Sequence, residues 1–344
     1  MRIDIHGHFT TAPPELDAFR GRQLTDVNKP RKRPMKISDE RLERSLTPVL
    51  EAMTARSIDV VLFSPRASGM GHDYGDALTS RYWTEVNNDL IARLVGMHSG
   101  VLVGVGQLPQ SPGTAPTQWL DELTRMADEL DFVGCLINPD ISGGLQPFTP
   151  SLGDEYWYPL WERMCELGIA GMIHASSTHN PAFHLNGSHY VAWDYGATVE
   201  LAASKVFERF PELKLVVPHG GGGIPFQFNR NRALHVAQKL PPFEEVVRSI
   251  YFDTALYDAD SLEMLIRKLG PSNVLFGTEM FGTAKGTDPV TGRGFDDVGA
   301  MLDSLAVLDD ASARAIFAEN ALRVFPRLSR RLERSGVLPK GARA

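Results

Sequence analysis

The chain opens with the stretch MRIDIHGHFT, residues 1–10, in which a short apolar run ends in two histidines separated by one glycine. Successive side chains of a β-strand point to opposite faces, so His6 and His8 project to the same side. Such a pair is either an accident of composition or half of a metal site. The remaining strands of the chain decide between these interpretations.

Eight short apolar runs follow one another along the chain, and longer amphipathic segments separate most of them. The runs occupy residues 2–6, 58–64, 101–107, 132–138, 169–175, 214–219, 249–254 and 273–279. Eight buried strands that alternate with helices favour a closed (β/α)8 barrel, the TIM-barrel fold, over an open sheet. A length of 344 residues suits one such domain. We therefore expect residues 1–344 to form a single α/β barrel.

Two segments are longer than a minimal barrel requires. Residues 10–45, an insertion after strand 1, are polar and contain the basic cluster VNKPRKRPMK. The basic cluster is typical of a solvated loop, and a lid or a subunit contact is the alternative. Residues 282–297, after strand 8, are rich in Gly, Asp and Thr. A connection of this length favours an active-site or interface loop.

Composition excludes several classes of partner. The formal net charge of -7 argues against nucleic acid and against an anionic membrane surface. The two cysteines, Cys135 and Cys165, form no CxxC motif and suit a reducing compartment. We see no signal-peptide pattern at the start and no apolar run as long as a membrane span. We therefore expect a cytoplasmic protein.

Three further strand ends carry imidazole or carboxylate side chains. His174 ends strand 5 in MIHAS, His219 ends strand 6 in VVPHGGGG, and Glu279 ends strand 8 in LFGTE. The carboxyl ends of barrel strands meet at one face, where sites form, so we expect these side chains to gather with His6 and His8. Imidazole and carboxylate together suit zinc with positions left open for water or substrate. The alternative is a set of core or loop histidines, each held by a hydrogen bond.

These motifs resemble the metal-dependent amidohydrolase superfamily, and more narrowly its branch that includes aminocarboxymuconate-semialdehyde decarboxylase. The shared pattern is HxH on strand 1, histidines on strands 5 and 6, and an acidic residue on strand 8. The closing stretch IFAENALRVFP looks like that family's terminal helix. The decarboxylases of the branch end strand 8 with aspartate, whereas this chain has Glu279. The stretches FSPRAS, GCLINPD, MIHASSTHNPAFH, PHGGGGIPF and FGTEMFGTAKGTDPVTGRGFDD instead resemble the branch's hydratases that act on 4-oxalomesaconate.

The resemblance implies a barrel of the metal-dependent hydrolase type that adds water to a conjugated double bond of a small tricarboxylate. It also implies one zinc ion, held by His6, His8, His174 and Glu279. Decarboxylation of an aromatic or muconate-type acid is the first alternative, and lactone or amide hydrolysis is the second. A barrel that keeps the fold only as a binding protein is a third. The family further implies a homo-oligomer, without fixing the number of subunits.

Hydration also requires an acid or base and groups that bind carboxylates. His219 suits acid–base chemistry near neutral pH, and the alternative is a fourth nitrogen ligand. Tyr190, on the loop after strand 5, is a candidate donor in the same chemistry. Arg66 follows strand 2 in SPRAS and ranks first for substrate binding, because guanidinium binds carboxylate through two parallel hydrogen bonds.

Several other polar residues are weaker candidates. Lys285, Arg232 and Arg293 could bind substrate carboxylates, although such side chains on loops are usually solvated. Asn180 and Asn138 could contact substrate, and each also suits a turn before proline.

A second histidine cluster follows strand 5 and consists of His179, His184 and His189. A second metal would need a bridging carboxylate or a modified lysine, and no lysine ends a middle strand. We therefore expect one metal ion.

Overall fold

The computed structural model describes residues 1–27, 29–184 and 187–341, and its centre is a parallel sheet of eight strands in sequential order. The strands are β1 Ile3–His8, β2 Val60–Ser64, β3 Leu102–Gln107, β4 Gly134–Ile137, β5 Ala170–Ile173, β6 Leu215–Val217, β7 Tyr251–Asp253 and β8 Val274–Leu275. Each overlaps one of the eight apolar runs, so the predicted barrel is confirmed. The later strands are shorter than their runs, because the polar ends of those runs turn into the loops of the site.

Backbone hydrogen bonds close the barrel between its last and first strands. The N–H of Ile5 donates to the carbonyl of Phe276 at 2.9 Å. The fully buried carboxyl of Asp4 bridges the same seam: it accepts from the N–H of His6 at 2.9 Å and from the N–H and hydroxyl of Thr278 at 3.1 and 2.5 Å. A buried polar group costs stability unless it is paired, and these bonds pair Asp4. The seam therefore fixes the exit of β8 relative to β1.

Helices surround the sheet and bury their apolar faces against it. Their bounds are α1 Pro14–Thr25, α2 Asp39–Ala55, α3 Ala77–Met97, α4 Leu120–Asp128, α5 Tyr158–Leu167, α6 Pro181–His184, α7 Ser188–Ala202, α8 Val206–Arg209, α9 Phe228–Gln238, α10 Phe243–Val246, α11 Ala259–Leu269, α12 Val298–Asp303, α13 Asp310–Arg314, α14 Asn320–Val324 and α15 Leu328–Arg334. None of the helices in the described ranges is both long enough and apolar enough to span a membrane.

The barrel interior forms an apolar cluster of its own. Inward-facing residues such as Ile5, Leu62 and Val105 belong to it, together with Phe325 from the C-terminal helices. A Cβ built on Gly134, the first residue of β4, would lie 3.1 Å from the Phe325 ring. The C-terminal segment thus closes the amino-terminal end of the barrel, which leaves the carboxyl end for the site.

The insertion over residues 10–45 is more ordered than a solvated loop. Helix α1 buries Leu16, Phe19 and Arg20. The Arg20 guanidinium lies 4.8 Å from the ring centroid of Trp83 on α3 and donates to the carbonyl of Gly71 at 2.8 Å. Helix α1 was not predicted, because its few buried positions give a weak amphipathic signal. The basic side chains at 29 and 31–33 are exposed as expected, and Asn28 lies outside the described residues.

The predicted loop over residues 282–297 is confirmed. All of these residues are described, and a single antiparallel bridge between Thr287 and Gly294 is the only sheet pairing assigned among them. The loop follows β8 at the carboxyl face of the barrel. It therefore lies where it can border a site.

Candidate metal centre

Four histidines and one glutamate converge at the carboxyl face of the barrel. His6 and His8 end β1, and His174 directly follows β5. The Nε2 atom of His8 lies 3.0 Å from Nε2 of His6 and 3.3 Å from Nε2 of His174. His219 Nε2 lies 3.4 Å from Glu279 Oε2. All five side chains are buried.

Among the described residues, one set of four side chains has ligand atoms that all lie within 4.8 Å of one another: His6, His174, His219 and Glu279. The predicted set differs from it, since it has His8 in place of His219. The short Nε2 distances of His8 favour it as a neighbour of His6 and His174, whereas His219 faces the carboxylate.

Each imidazole forms a hydrogen bond through its Nδ1 atom, on the side of the ring that faces away from the cluster. His6 donates to Asp253 Oδ2 at 2.6 Å, and His219 donates to Asp194 Oδ2 at 2.7 Å. The partner of His174 is the carbonyl of Ala175, and the partner of His8 is the Ser64 hydroxyl. Ser64 donates its own proton to the carbonyl of Gly7, so it accepts from His8.

This arrangement leaves Nε2 lone pairs pointing at one another. Two nitrogen atoms whose lone pairs face each other at 3.0–3.3 Å repel unless a cation lies between them. Nitrogen ligands at tetrahedral zinc lie about 2.0–2.1 Å from the ion, which places neighbouring ligand atoms roughly 3.3 Å apart. The donor set therefore fits a divalent metal ion, and the oxygen partners at Nδ1 are those that orient metal-binding histidines.

Burial and charge set His219 apart from the other imidazoles. Burial, together with the neighbouring His6, lowers the pKa of His8 to about 3, and burial also lowers the pKa of His174 well below its ordinary value. Burial opposes the charged form of His219 as well, but the Asp194 and Glu279 carboxylates outweigh it and raise the pKa of His219 well above its ordinary value. Neutral imidazoles are the form that binds metal, so His8 and His174 suit ligands and His219 suits a proton carrier.

Two residues of the cluster, which follow β6 and β8, have left-handed backbone conformations. His219 and Glu279 have φ angles of 49° and 48°, in the left-handed region. That conformation costs a residue with a side chain about 1–2 kcal/mol. It persists only where the surroundings hold it, and such residues cluster at functional sites.

The glycine run after His219 has a packing role. A Cβ on Gly222 would lie 2.4 Å from the carbonyl oxygen of Val191 on α7. Its φ angle of 62° is also one that favours glycine. Glycine at position 222 therefore allows the backbone to pass close to helix α7.

A cavity of about 220 Å³ opens over the cluster, and we call it the mouth cavity. Three of the predicted substrate and acid–base residues line it: Arg66, Tyr190 and Lys285. The remaining lining residues are His8, Thr10, Ala67, Ser68, His174, Glu279, Phe281, Gly282 and Thr283. The structure thus brings cations from two loops to the entrance of the candidate metal centre.

Tyr190 and Arg66 have defined partners in the mouth cavity. The Tyr190 ring centroid lies 5.7 Å from that of His174. Burial raises the pKa of Tyr190 to about 12, so its phenol remains a hydrogen-bond donor. Arg66 Nη2 lies 3.4 Å from Asp17 Oδ1 on α1, and both side chains are largely exposed. A substrate carboxylate can therefore compete with Asp17 for Arg66.

The structure does not bring the other substrate candidates into the lining of the mouth cavity. Arg232 on α9 pairs with Glu244 at 3.2 Å. Asn180 is exposed, and its side chain accepts from the N–H of Ala182 at the start of α6. Arg293 borders a different cavity. Asn138 is buried and accepts from the N–H of Asp140.

The histidines after β5 do not gather around one point. His179 Nε2 pairs with Asp73 at 2.7 Å, and His189 Nε2 contacts the carbonyl of Ser176 at 3.0 Å. The side chain of His184 lies outside the described residues. The described part of this cluster therefore has partners of its own.

Three residues of the centre were missed by the sequence analysis. Asp253 is the last residue of β7, so the strand-end rule applied to the seventh run would have found it. Asp194 lies on α7, and Tyr257 lies on the loop after β7, where its hydroxyl donates to Glu279 Oε2. Neither has a sequence signal, because their places depend on how a helix and a loop pack.

Comparisons with known proteins agree with this architecture. A family model described as amidohydrolase matches residues 3–327. The 2-keto-4-carboxy-3-hexenedioate hydratase of Sphingobium sp. is 38% identical over 341 residues, which is 98% of this chain and 99% of the relative. The solved 4-oxalomesaconate hydratase of Rhodopseudomonas palustris superposes with a TM-score of 0.89 at 37% identity and covers 98% of this chain and 99% of that one.

A more distant solved structure shares the fold. The dihydroxybenzoic acid decarboxylase of Polaromonas sp., solved with bound manganese, has a TM-score of 0.70 at 19% identity and covers 94% of this chain and 96% of that one. The family model spans nearly the whole chain, and the resemblance identified from the motifs is confirmed. This chain belongs to the amidohydrolase family.

Proposed function

We propose that this protein is a zinc-dependent hydratase that adds water to the carbon–carbon double bond of 4-oxalomesaconate. The product is 4-carboxy-4-hydroxy-2-oxoadipate, and the reaction belongs to the degradation of aromatic compounds. The observation that carries the proposal is the meeting of the histidine–glutamate cluster with Arg66 and Lys285 in one cavity. The 38% identity to a hydratase along 98% of the chain supports it.

The walls of the mouth cavity suit an anionic substrate. Arg66 offers a planar fork that binds one carboxylate through two hydrogen bonds, and Lys285 offers a compact charge for another. The Tyr190 phenol is a neutral donor between them and the imidazoles. Carboxylates bound at the walls would place the conjugated double bond over the buried cluster.

The floor of the cavity would hold the metal. His6, His8, His174 and Glu279 are the proposed ligands of a single zinc ion. Such an ion, when bound, supplies a Lewis acid that polarises an oxygen of water or substrate. The three imidazoles are oriented for this by Asp253, Ser64 and the Ala175 carbonyl.

His219 is the proposed acid–base group. Hydration removes one proton from water and delivers one proton to the carbon that does not receive the hydroxyl. The Nε2 atom of His219 would hold and release that proton, since Asp194 fixes the ring through Nδ1 and stabilises its charged form. Tyr190 would donate a hydrogen bond to the substrate oxygen on which negative charge develops.

The domain organisation, assembly and location of the protein are also part of the proposal. We propose that residues 1–344 form one catalytic domain that works as a homo-oligomer in the cytoplasm. These points rest on the amino-acid sequence and on the family resemblance.

Product analysis in labelled water tests the proposed reaction. The purified protein is incubated with 4-oxalomesaconate in water enriched in oxygen-18, and the product is analysed by mass spectrometry. A product heavier than the substrate by one labelled water is expected, without carbon dioxide. Release of carbon dioxide would instead assign the decarboxylase alternative, and an unchanged substrate would contradict the proposed specificity.

A further inference from the structure

Tyr257 is the one tyrosine in the described residues whose hydroxyl donates to the cluster's carboxylate. It lies between β7 and α11, and its hydroxyl donates to Glu279 Oε2. Its φ angle of 59° is in the left-handed region, which is unfavourable for a residue with a side chain. The surroundings therefore hold the Tyr257 backbone in the conformation that aims the ring at Glu279.

The contacts of Glu279 fall on one of its two oxygens. Oε2 accepts from Tyr257 and lies 3.4 Å from His219 Nε2. Among the described residues, no recorded hydrogen bond reaches Oε1. The rotation of the carboxylate about its last bond is therefore fixed by groups that leave Oε1 available.

A glutamate needs such a partner more than an aspartate does. Glutamate has an extra rotatable bond between backbone and carboxylate, and each ordered side-chain bond costs conformational entropy. A hydrogen bond to an ionised acceptor is stronger than one between neutral groups, and it is strong enough to favour one rotamer. Tyr257 supplies this bond and lines a second cavity, of about 610 Å³, rather than the mouth cavity.

We propose that Tyr257 is a positioning residue that orients the Glu279 carboxylate and thereby strengthens metal binding. The recorded contact of the Tyr257 hydroxyl is with Glu279, so the proposed role is exerted through that carboxylate. The proposal rests on the proposed role of Glu279 as a ligand. It does not depend on which acid is the substrate.

The test is zinc affinity of the metal-stripped full-length protein, measured by competition with a chromophoric chelator. Loss of a residue that orients a metal ligand costs roughly 10–100-fold in affinity, so we expect Tyr257→Phe to bind zinc at least about tenfold more weakly. The melting temperature without metal should fall by only a few degrees, because one hydrogen bond is lost and the ring stays in place. Tyr251→Phe on β7 is the matched control, because no hydrogen bond of the Tyr251 hydroxyl is recorded among the described residues, and its zinc affinity should not change.

A double-mutant cycle separates positioning from a general structural effect. In a Glu279→Ala background, the additional substitution Tyr257→Phe should have no further effect on zinc affinity. A loss of the same size in that background would overturn the proposal, as would a zinc affinity of Tyr257→Phe within about twofold of the parent protein.

The zinc titration also separates this proposal from the proposed reaction. A parent protein that binds zinc but does not turn over 4-oxalomesaconate would contradict the substrate and leave the role of Tyr257 standing. A parent protein that binds no zinc would overturn both the ligand set and the role of Tyr257.

Discussion

The backbone N–H of Glu279 donates to the carbonyl of His6 at 3.0 Å, across the seam where the last strand meets the first. Two proposed metal ligands that are far apart in the chain are therefore joined by one backbone hydrogen bond. The bridge from Asp4 to Thr278 reinforces the same seam. The hydrogen bonds that close the barrel therefore also bring His6 and Glu279 together.

Shortening the carboxylate at position 279 should impair hydration. In Glu279→Asp the carboxylate retreats by one methylene and loses its contacts with Tyr257 and His219. We expect kcat to fall by about tenfold or more, as for loss of a supporting hydrogen bond at a metal site. Steady-state kinetics with matched metal content measures this. Full activity in Glu279→Asp would show that glutamate does not distinguish this enzyme from aspartate-containing decarboxylases.

Asp253→Asn should weaken metal binding without changing side-chain shape. Asp253 Oδ1 accepts from the N–H of Ala255 at 3.1 Å and from that of Gly220 at 3.4 Å, so the new amide would keep its oxygen there. Its NH2 group would then face His6 Nδ1, and the His6 proton would move to Nε2. Zinc affinity should fall about 10–100-fold.

Metal content after dialysis against a weak chelator checks this expectation. Asp260→Asn, an exposed position on α11, is the matched control and should retain metal. An Asp253→Asn protein with the parent's metal content would contradict the role assigned to the His6–Asp253 pair.

The sequence predicted the centre where strand periodicity and barrel geometry were enough. Five residues of the centre were found because each lies at or near the carboxyl end of an apolar run, and these ends converge in a barrel. They are His6, His8, His174, His219 and Glu279. Asp194 and Tyr257 were not found, since their positions depend on the packing of α7 and of the loop after β7.

The insertion after strand 1 shows a second limit of sequence analysis. Helix α1, with the sequence PELDAFRGRQLT, has few apolar residues, and one of its buried anchors is the charged Arg20. The pattern of apolar residues does not predict that the guanidinium of Arg20 packs on the ring of Trp83. The sequence analysis therefore did not predict this packed helix.

His219→Asn should separate the two interpretations of His219. If His219 carries a proton, the variant should keep its zinc, and kcat should fall by about 100-fold or more. Zinc content and kcat are measured on the same preparation. If the zinc content of the variant fell by the same factor as its kcat, His219 would instead be a ligand in the set His6, His174, His219 and Glu279.

Arg66→Ala should raise KM more than it lowers kcat. Arg66 lines the mouth cavity and is the proposed partner of a substrate carboxylate. A charge-assisted hydrogen bond contributes about 1.5–3 kcal/mol, so we expect KM to rise by roughly 10–150-fold. Arg66→Lys should recover only part of this, because an ammonium cannot form the two parallel bonds.

Two other arginines provide the comparison. Arg267→Ala, which removes an exposed pair with Glu263 on α11, should leave KM unchanged. Arg232→Ala should have a smaller effect than Arg66→Ala, because Arg232 pairs with Glu244. An unchanged KM for Arg66→Ala would remove Arg66 from the substrate site.

The most direct measurement follows the ultraviolet absorbance of 4-oxalomesaconate with purified protein, with chelator-treated protein, and after zinc is added back. A metal-dependent hydratase should remove the conjugated chromophore, lose this activity on chelation and regain it with zinc. Chromophore loss that persists at full rate in the metal-free protein would contradict the account.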